Sequence, residues 1–119
     1  MNVAAQNSAS PDMAQPWLTE LQALVDTLGL KADIICKHFF SGAAAYSGGQ
    51  IFISLSPAGL ALKLPEEMCA ELISKGATPL KYFAKSPVKK GYVVLPDSFR
   101  KNKKTLHKWI LRSLDYTDH

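Results

Sequence analysis

The sequence predicts an α+β domain with a mainly antiparallel five-stranded sheet and three helices, in the order α-β-β-β-α-β-β-α. Three observations predict it. Apolar residues recur at helical spacing in three separate stretches. Between those stretches the chain is β-branched, aromatic or alternating, as half-buried strands are. Short turn signals, Gly48-Gly49 and Ser56-Pro57-Ala58-Gly59, join the first strands into a meander.

Each element has its own reason. Residues 1–15 are rich in Ala, Ser, Asn and Gln and read as a flexible leader with little to bury. A single domain then occupies residues 16–119. Trp17, Leu18, Leu21, Leu24, Val25 and Leu28 repeat along an amphipathic helix over Pro16–Leu28, which Gly29 can end. Ile34–Phe40 suits a strand; Ser41-Gly42 interrupts it as a bulge or bend would, with Ala43–Ser47 continuing in the sheet. After the Gly48-Gly49 hairpin, Ile51, Ile53 and Leu55 alternate against Phe52 and Ser54. Leu60–Leu64 is the next strand.

Pro65, Glu66 and Glu67 open a second helix, the two acids lying at the positive end of its dipole. Met68, Cys69, Leu72 and Ile73 form its buried stripe, and Gly76 caps it. Leu80–Ala84 and Gly91–Leu95 are two further strands, joined by the polar loop Lys85–Lys90. Pro96-Asp97-Ser98 starts the last helix. Its core face is Phe99, Leu106, Trp109, Ile110 and Leu114, with an interruption expected near Asn102.

Composition narrows the function classes. A chain with 47% apolar and 20% charged residues can bury a core without disulfide or metal staples. Its two cysteines, Cys36 and Cys69, support no disulfide framework. No apolar run is long enough to span a bilayer, and the start lacks a signal-peptide pattern, so the expectation is a cytoplasmic protein with no membrane partner. The charge is unevenly spread. Residues 1–74 hold three lysines and seven carboxylates; residues 75–119 hold nine lysines, two arginines and three carboxylates. That asymmetry can steer an acidic partner or a nucleic acid towards one end, or one copy of the chain towards another.

Several motifs resemble the N-terminal domain of the TfoX family of bacterial competence regulators, over roughly 16–114. Phe39-Phe40-Ser41-Gly42 followed by Tyr46-Ser47-Gly48-Gly49-Gln50-Ile51-Phe52 resembles the family's aromatic-Gly-Gly segment and glycine hairpin. Leu60-Ala61-Leu62-Lys63 is similar to its strand before the second helix. Gly76-Ala77-Thr78-Pro79-Leu80-Lys81-Tyr82 is similar to its Gly-x-x-Pro-aromatic-x-Tyr segment, and Tyr92-Val93-Val94-Leu95-Pro96 to its closing strand. Ser41, Ala43-Ala44 and Leu80 depart from the family pattern and mark a divergent member. The resemblance implies a two-layer fold like that of secretion chaperones, which often dimerise. It implies regulation of competence or transcription through contacts, and it brings no catalytic residues. In full-length regulators a second domain follows; a stand-alone first domain is the expectation here.

The candidate chemistry is thin. Cys36-x-His38 can place a thiol and an imidazole on one side of a strand, as half a metal site or a Cys/His pair. Cys69, His107 and His119 are isolated from it in sequence, and a buried cysteine beside an edge histidine is the commoner arrangement. Ser41-Gly42 and Gly48-Gly49 lie between strands, whereas a phosphate cradle opens a helix. Glu66-Glu67 has no spaced partner for acid–base work. No catalytic residue, cofactor or metal ligand is therefore assigned.

The best lead is cationic. Lys101, Lys104, Lys108 and Arg112 recur at one or two helical turns and can share an exposed stripe; Lys81, Lys85, Lys89 and Lys90 surround a neighbouring hairpin, with Tyr82 and Tyr92 near them. One reading is contact with an acidic protein partner. A second is contact with nucleic-acid phosphates, although no helix-turn-helix, zinc finger or RNP-like motif is present. An unrecognised enzyme is a third, and a solvated face that keeps the chain soluble is the bland alternative. Association into a homodimer is open to a small domain with free sheet edges. Lys101, Lys104, Lys108, Arg112, Lys89 and Lys90 are the candidate contact residues.

Overall fold

The computed structural model describes residues 15–29, 33–39, 42–81, 85 and 87–117. Its order is α1 (Gln15–Thr27), β1 (Ile34–Phe39), β2 (Gly42–Ser47), β3 (Gln50–Ser56), β4 (Gly59–Lys63), α2 (Glu66–Ser74), β5 (Thr78–Leu80), β6 (Lys89–Val94), α3 (Asp97–Lys101) and α4 (Lys103–Thr117). The strands form one sheet in the order β1-β2-β3-β4-β6-β5, and every neighbouring pair is antiparallel. The expected leader lies outside the described residues, apart from Gln15 at the start of α1.

The α+β antiparallel fold is as expected, with six strands in place of five. The extra strand arises because the stretch Ile34–Ser47, expected as one interrupted strand, is two strands, β1 and β2, that pair with each other; Ser41 lies outside the described residues. Ile34 lies opposite Ser47 and Phe39 opposite Gly42, so β1 and β2 pair along their whole length. Gly42 is fixed by space. A Cβ there would stand 2.2 Å from the Leu55 carbonyl oxygen and 2.7 Å from Ser56 Cβ. Only a residue without a side chain lets β2 approach β3 at that point. Gly48 and Gly49, with φ of 59° and 82°, form the expected hairpin turn with two positive-φ residues.

The alternation along β3 slips once. Ala45 lies opposite Ile53 and Tyr46 opposite Ile51, which leaves Phe52 without a counterpart on β2. This bulge changes the phase of the strand, so Phe52 joins Ile53 and Leu55 in the core while Ile51 is only half-buried.

One face of the sheet carries the helices. Ala43, Ala45, Ile53, Leu55, Leu60, Leu62 and Val93 from the strands share one core with Leu21 and Val25 of α1, Leu72 of α2, and Trp109 and Ile110 of α4. α1 packs on β1, β2 and β3, α4 on β3 and β4, and α2 on β5 and β6, which places α4 in the middle of the helical layer. Small residues, Ala44, Ser54 and Ala61, line the middle of the other face.

One boundary moved, one expected core residue is exposed, and the expected interruption of the last helix is present. The strand expected over Leu80–Ala84 is Thr78–Leu80, and residues 82–84 lie outside the described set. Ile73, expected in the α2 stripe, is 41% exposed. The last helix is divided at Asn102, whose backbone is extended at φ −100° and ψ 102°. Asn102 Oδ1 accepts the Thr105 N–H at 3.1 Å, and its carbonyl accepts the Leu106 N–H at 2.9 Å. The residue that ends α3 therefore caps α4. Further along, the Ser113 hydroxyl lies 2.8 and 2.7 Å from the carbonyls of Phe52 and Lys63 and shares its one proton between them. This polar tie binds α4 to β3 and β4.

Candidate functional site

The outer face of α4 follows from the geometry of its inner one. Leu106, Trp109, Ile110, Ser113, Leu114 and Thr117 are buried, so at 3.6 residues per turn Lys104, Lys108, Leu111 and Asp115 point away from the sheet. Lys103 begins the same helix and Arg112 lies at the margin of the outer face. Lys101 belongs to α3, beyond the Asn102 break, and does not continue the α4 stripe.

Two of these cations have a second contact. Arg112 Cζ lies 4.8 Å from the centre of the Trp109 ring, and Lys108 Nζ lies 5.5 Å from it. The positive groups lean on a ring that is 2% exposed, which couples the outer face to the core beneath. Lys104 has no such contact among those resolved. Lys89 and Lys90 stand apart on β6, a strand that packs against α2, with Lys89 Nζ 5.6 Å from the Tyr92 ring. Tyr82 is outside the described residues. The structure thus gathers Lys104, Lys108 and Arg112, and distributes Lys101, Lys89 and Lys90 elsewhere.

Sequence reasoning passed over Leu111, which is 43% exposed in the middle of the cationic face. The signal was available, since Leu111 lies seven residues after Lys104 and so on the same side of a helix. It also passed over the space between α1 and α3–α4. Arg100 spans that space to Glu20, Nη2 to Oε2 at 3.2 Å. No local pattern links residues eighty positions apart.

The thiols have an inert setting. Cys36 lies opposite Ala45 and His38 opposite Ala43, so both project from the same side of β1, as expected for positions two apart. Cys36 lines a hollow with Leu18, Gln22 and Asp26, where burial and then the Asp26 carboxylate push its pKa above the ordinary thiol value. Burial, followed by Glu66, does the same to Cys69, whose Sγ–H donates to the Leu64 carbonyl. These shifts favour the thiol over the nucleophilic thiolate. Among the described residues no three His, Cys, Asp or Glu side chains gather as metal ligands would. Among them, too, no helix is long and apolar enough to cross a membrane.

The fold and these surfaces define a small α+β domain with helices on one sheet face and a group of cations on the outside of its last helix. The chain belongs to the TfoX N-terminal domain family, whose model matches residues 26–116. That match runs from the last two residues of α1 through nearly all of α4, and the family is a regulatory one not known for catalysis. A comparison with curated proteins returned no match.

Proposed function

We propose that this domain is a regulatory protein-interaction module that touches its partner through the outer face of α3–α4. The observation that carries this reading is Leu111, a 43% exposed apolar side chain on the outer face of α4, with Lys108 and Asp115 about one turn to either side and Lys104 two turns before it. An apolar centre with a charged rim is the layout of a protein interface, whereas phosphate contacts need cations alone. The rim favours an acidic partner. Family membership supports a role in regulating competence or transcription in a bacterial cytoplasm, with no reaction assigned to the chain.

The test places a photo-crosslinking amino acid at position 111 and, as a control, at Ile35 on the edge strand. Discrete protein adducts at 111, lost on Lys104→Glu, are expected. Nucleic acid is the competing reading, carried by the number of cations on this face. A titration with a random duplex and a single strand at two salt concentrations decides it, using Lys101→Glu/Lys104→Glu, which spares the two cations on Trp109. Binding that weakens steeply with salt and disappears in the variant replaces the protein reading.

A further inference from the structure

The space between α1 and α3–α4 is a groove with a defined chemistry. α1 and α4 each pack on the sheet, and the wall that α1 presents to α4 carries the short side chains of Ala23 and Thr27. The floor is Leu24, Leu55, Leu60 and Leu106, the middle two almost wholly buried ends of the β3–β4 hairpin. Arg100 borders two adjoining hollows, of about 290 and 380 Å³, that also share Leu24, Thr27 and Leu106. Each has room for one large apolar side chain. The second hollow is rimmed by Lys103 and His107 as well as Arg100, while Glu20 is the one carboxylate on either lining among the described residues.

We infer that this groove receives an acidic amphipathic helix of a partner protein, with two apolar anchors in the two hollows and a carboxylate on Arg100. The inference rests on the reading of the domain as a protein-interaction module and adds a second contact surface to it. The two hollows share four lining residues, Leu24, Thr27, Arg100 and Leu106, and neighbouring sockets of this kind suit side chains three or four residues apart on one face of a helix. The charge of the rim selects acids over bases. Arg100 is already paired, but the pair is half-exposed, with 32% and 54% of the two side chains accessible. Such a pair adds little to stability, so an incoming carboxylate can take the place of Glu20.

The experiment is a peptide-display selection on the whole chain, with a library of about 16 residues so that a helix can form. Selected peptides are then measured as fluorescent conjugates by anisotropy. Peptides rich in Asp and Glu, with two large apolar residues three or four apart, are expected. Thr27→Trp, an exposed position on the border the two hollows share, puts a bulky ring across that border and should weaken them by about tenfold or more. Arg100→Ser should weaken them too, and should abolish the difference between a peptide and its Glu→Gln version. Circular dichroism checks that each variant is folded. Peptides without acidic bias, or indifferent to Thr27→Trp, overturn the inference. Peptides lost on Lys101→Glu/Lys104→Glu but not on Thr27→Trp overturn the groove while leaving the outer-face reading standing. Self-association that Thr27→Trp abolishes would give the groove to a second copy and overturn it as well.

Discussion

α4 has two faces built for different purposes, and the contrast teaches where stability ends and recognition begins. The inner face is apolar except for Ser113 and Thr117, and both hydroxyls are hydrogen-bonded to backbone carbonyls. Nothing polar there is left for a partner. The outer face has three cations, Leu111 and Asp115, and only Lys108 and Arg112 among the cations lean on the core ring below. A sequence reading that counts the basic residues of this helix treats them alike. The structure divides them, because Arg112 and Lys108 lean over Trp109 while Lys104 does not.

Substitutions along the helix can break that contrast, and the inner face should give the largest effects. Trp109→Ala removes the largest wholly buried side chain and should cost about 3–5 kcal/mol, read as a lower urea midpoint by circular dichroism. An effect under about 1 kcal/mol would mean that α4 is not anchored through this ring. Ser113→Ala leaves the Phe52 and Lys63 carbonyls without their donor and should cost about 1–3 kcal/mol. Asn102→Ala, which removes the cap of α4, should cost about 1 kcal/mol, while Asn102→Asp should be close to neutral.

How much of this was legible in the sequence differs between elements, for physical reasons. Helical periodicity marked Leu106, Trp109, Ile110 and Leu114 as core because burial of one helix face leaves a repeating trace. The Asn102 break was legible for a similar reason, since capping is local chemistry. The β1–β2 reversal was not. Gly42 is required by the close approach of Leu55 and Ser56, a contact with a strand more than ten residues away. The bulge at Phe52 was equally hidden, because a strand with apolar residues at 51, 52 and 53 reads the same in either phase. Charge was legible as composition, but not its division: cation–π contacts depend on which ring lies below. The Glu20–Arg100 link, and with it the groove, joins the two ends of the fold and leaves no local trace.

The smallest expected effects sharpen the contrast most. Arg112→Ala should cost about 0.5–1 kcal/mol, since its guanidinium lies over the Trp109 ring at 4.8 Å. Lys104→Glu should change stability by less than about 0.5 kcal/mol, because the side chain is exposed and has neither ring nor ion-pair contact among those resolved. The comparison needs both variants measured in the same urea titration. If Lys104→Glu leaves the midpoint unchanged yet abolishes crosslinking at position 111, the outer face serves recognition and Lys104 is the residue that isolates it. If both variants shift the midpoint equally, the cations act together in holding α4 down. The outer face would then be an extension of the core, and the contact surface would have to be sought along α1 and Arg100.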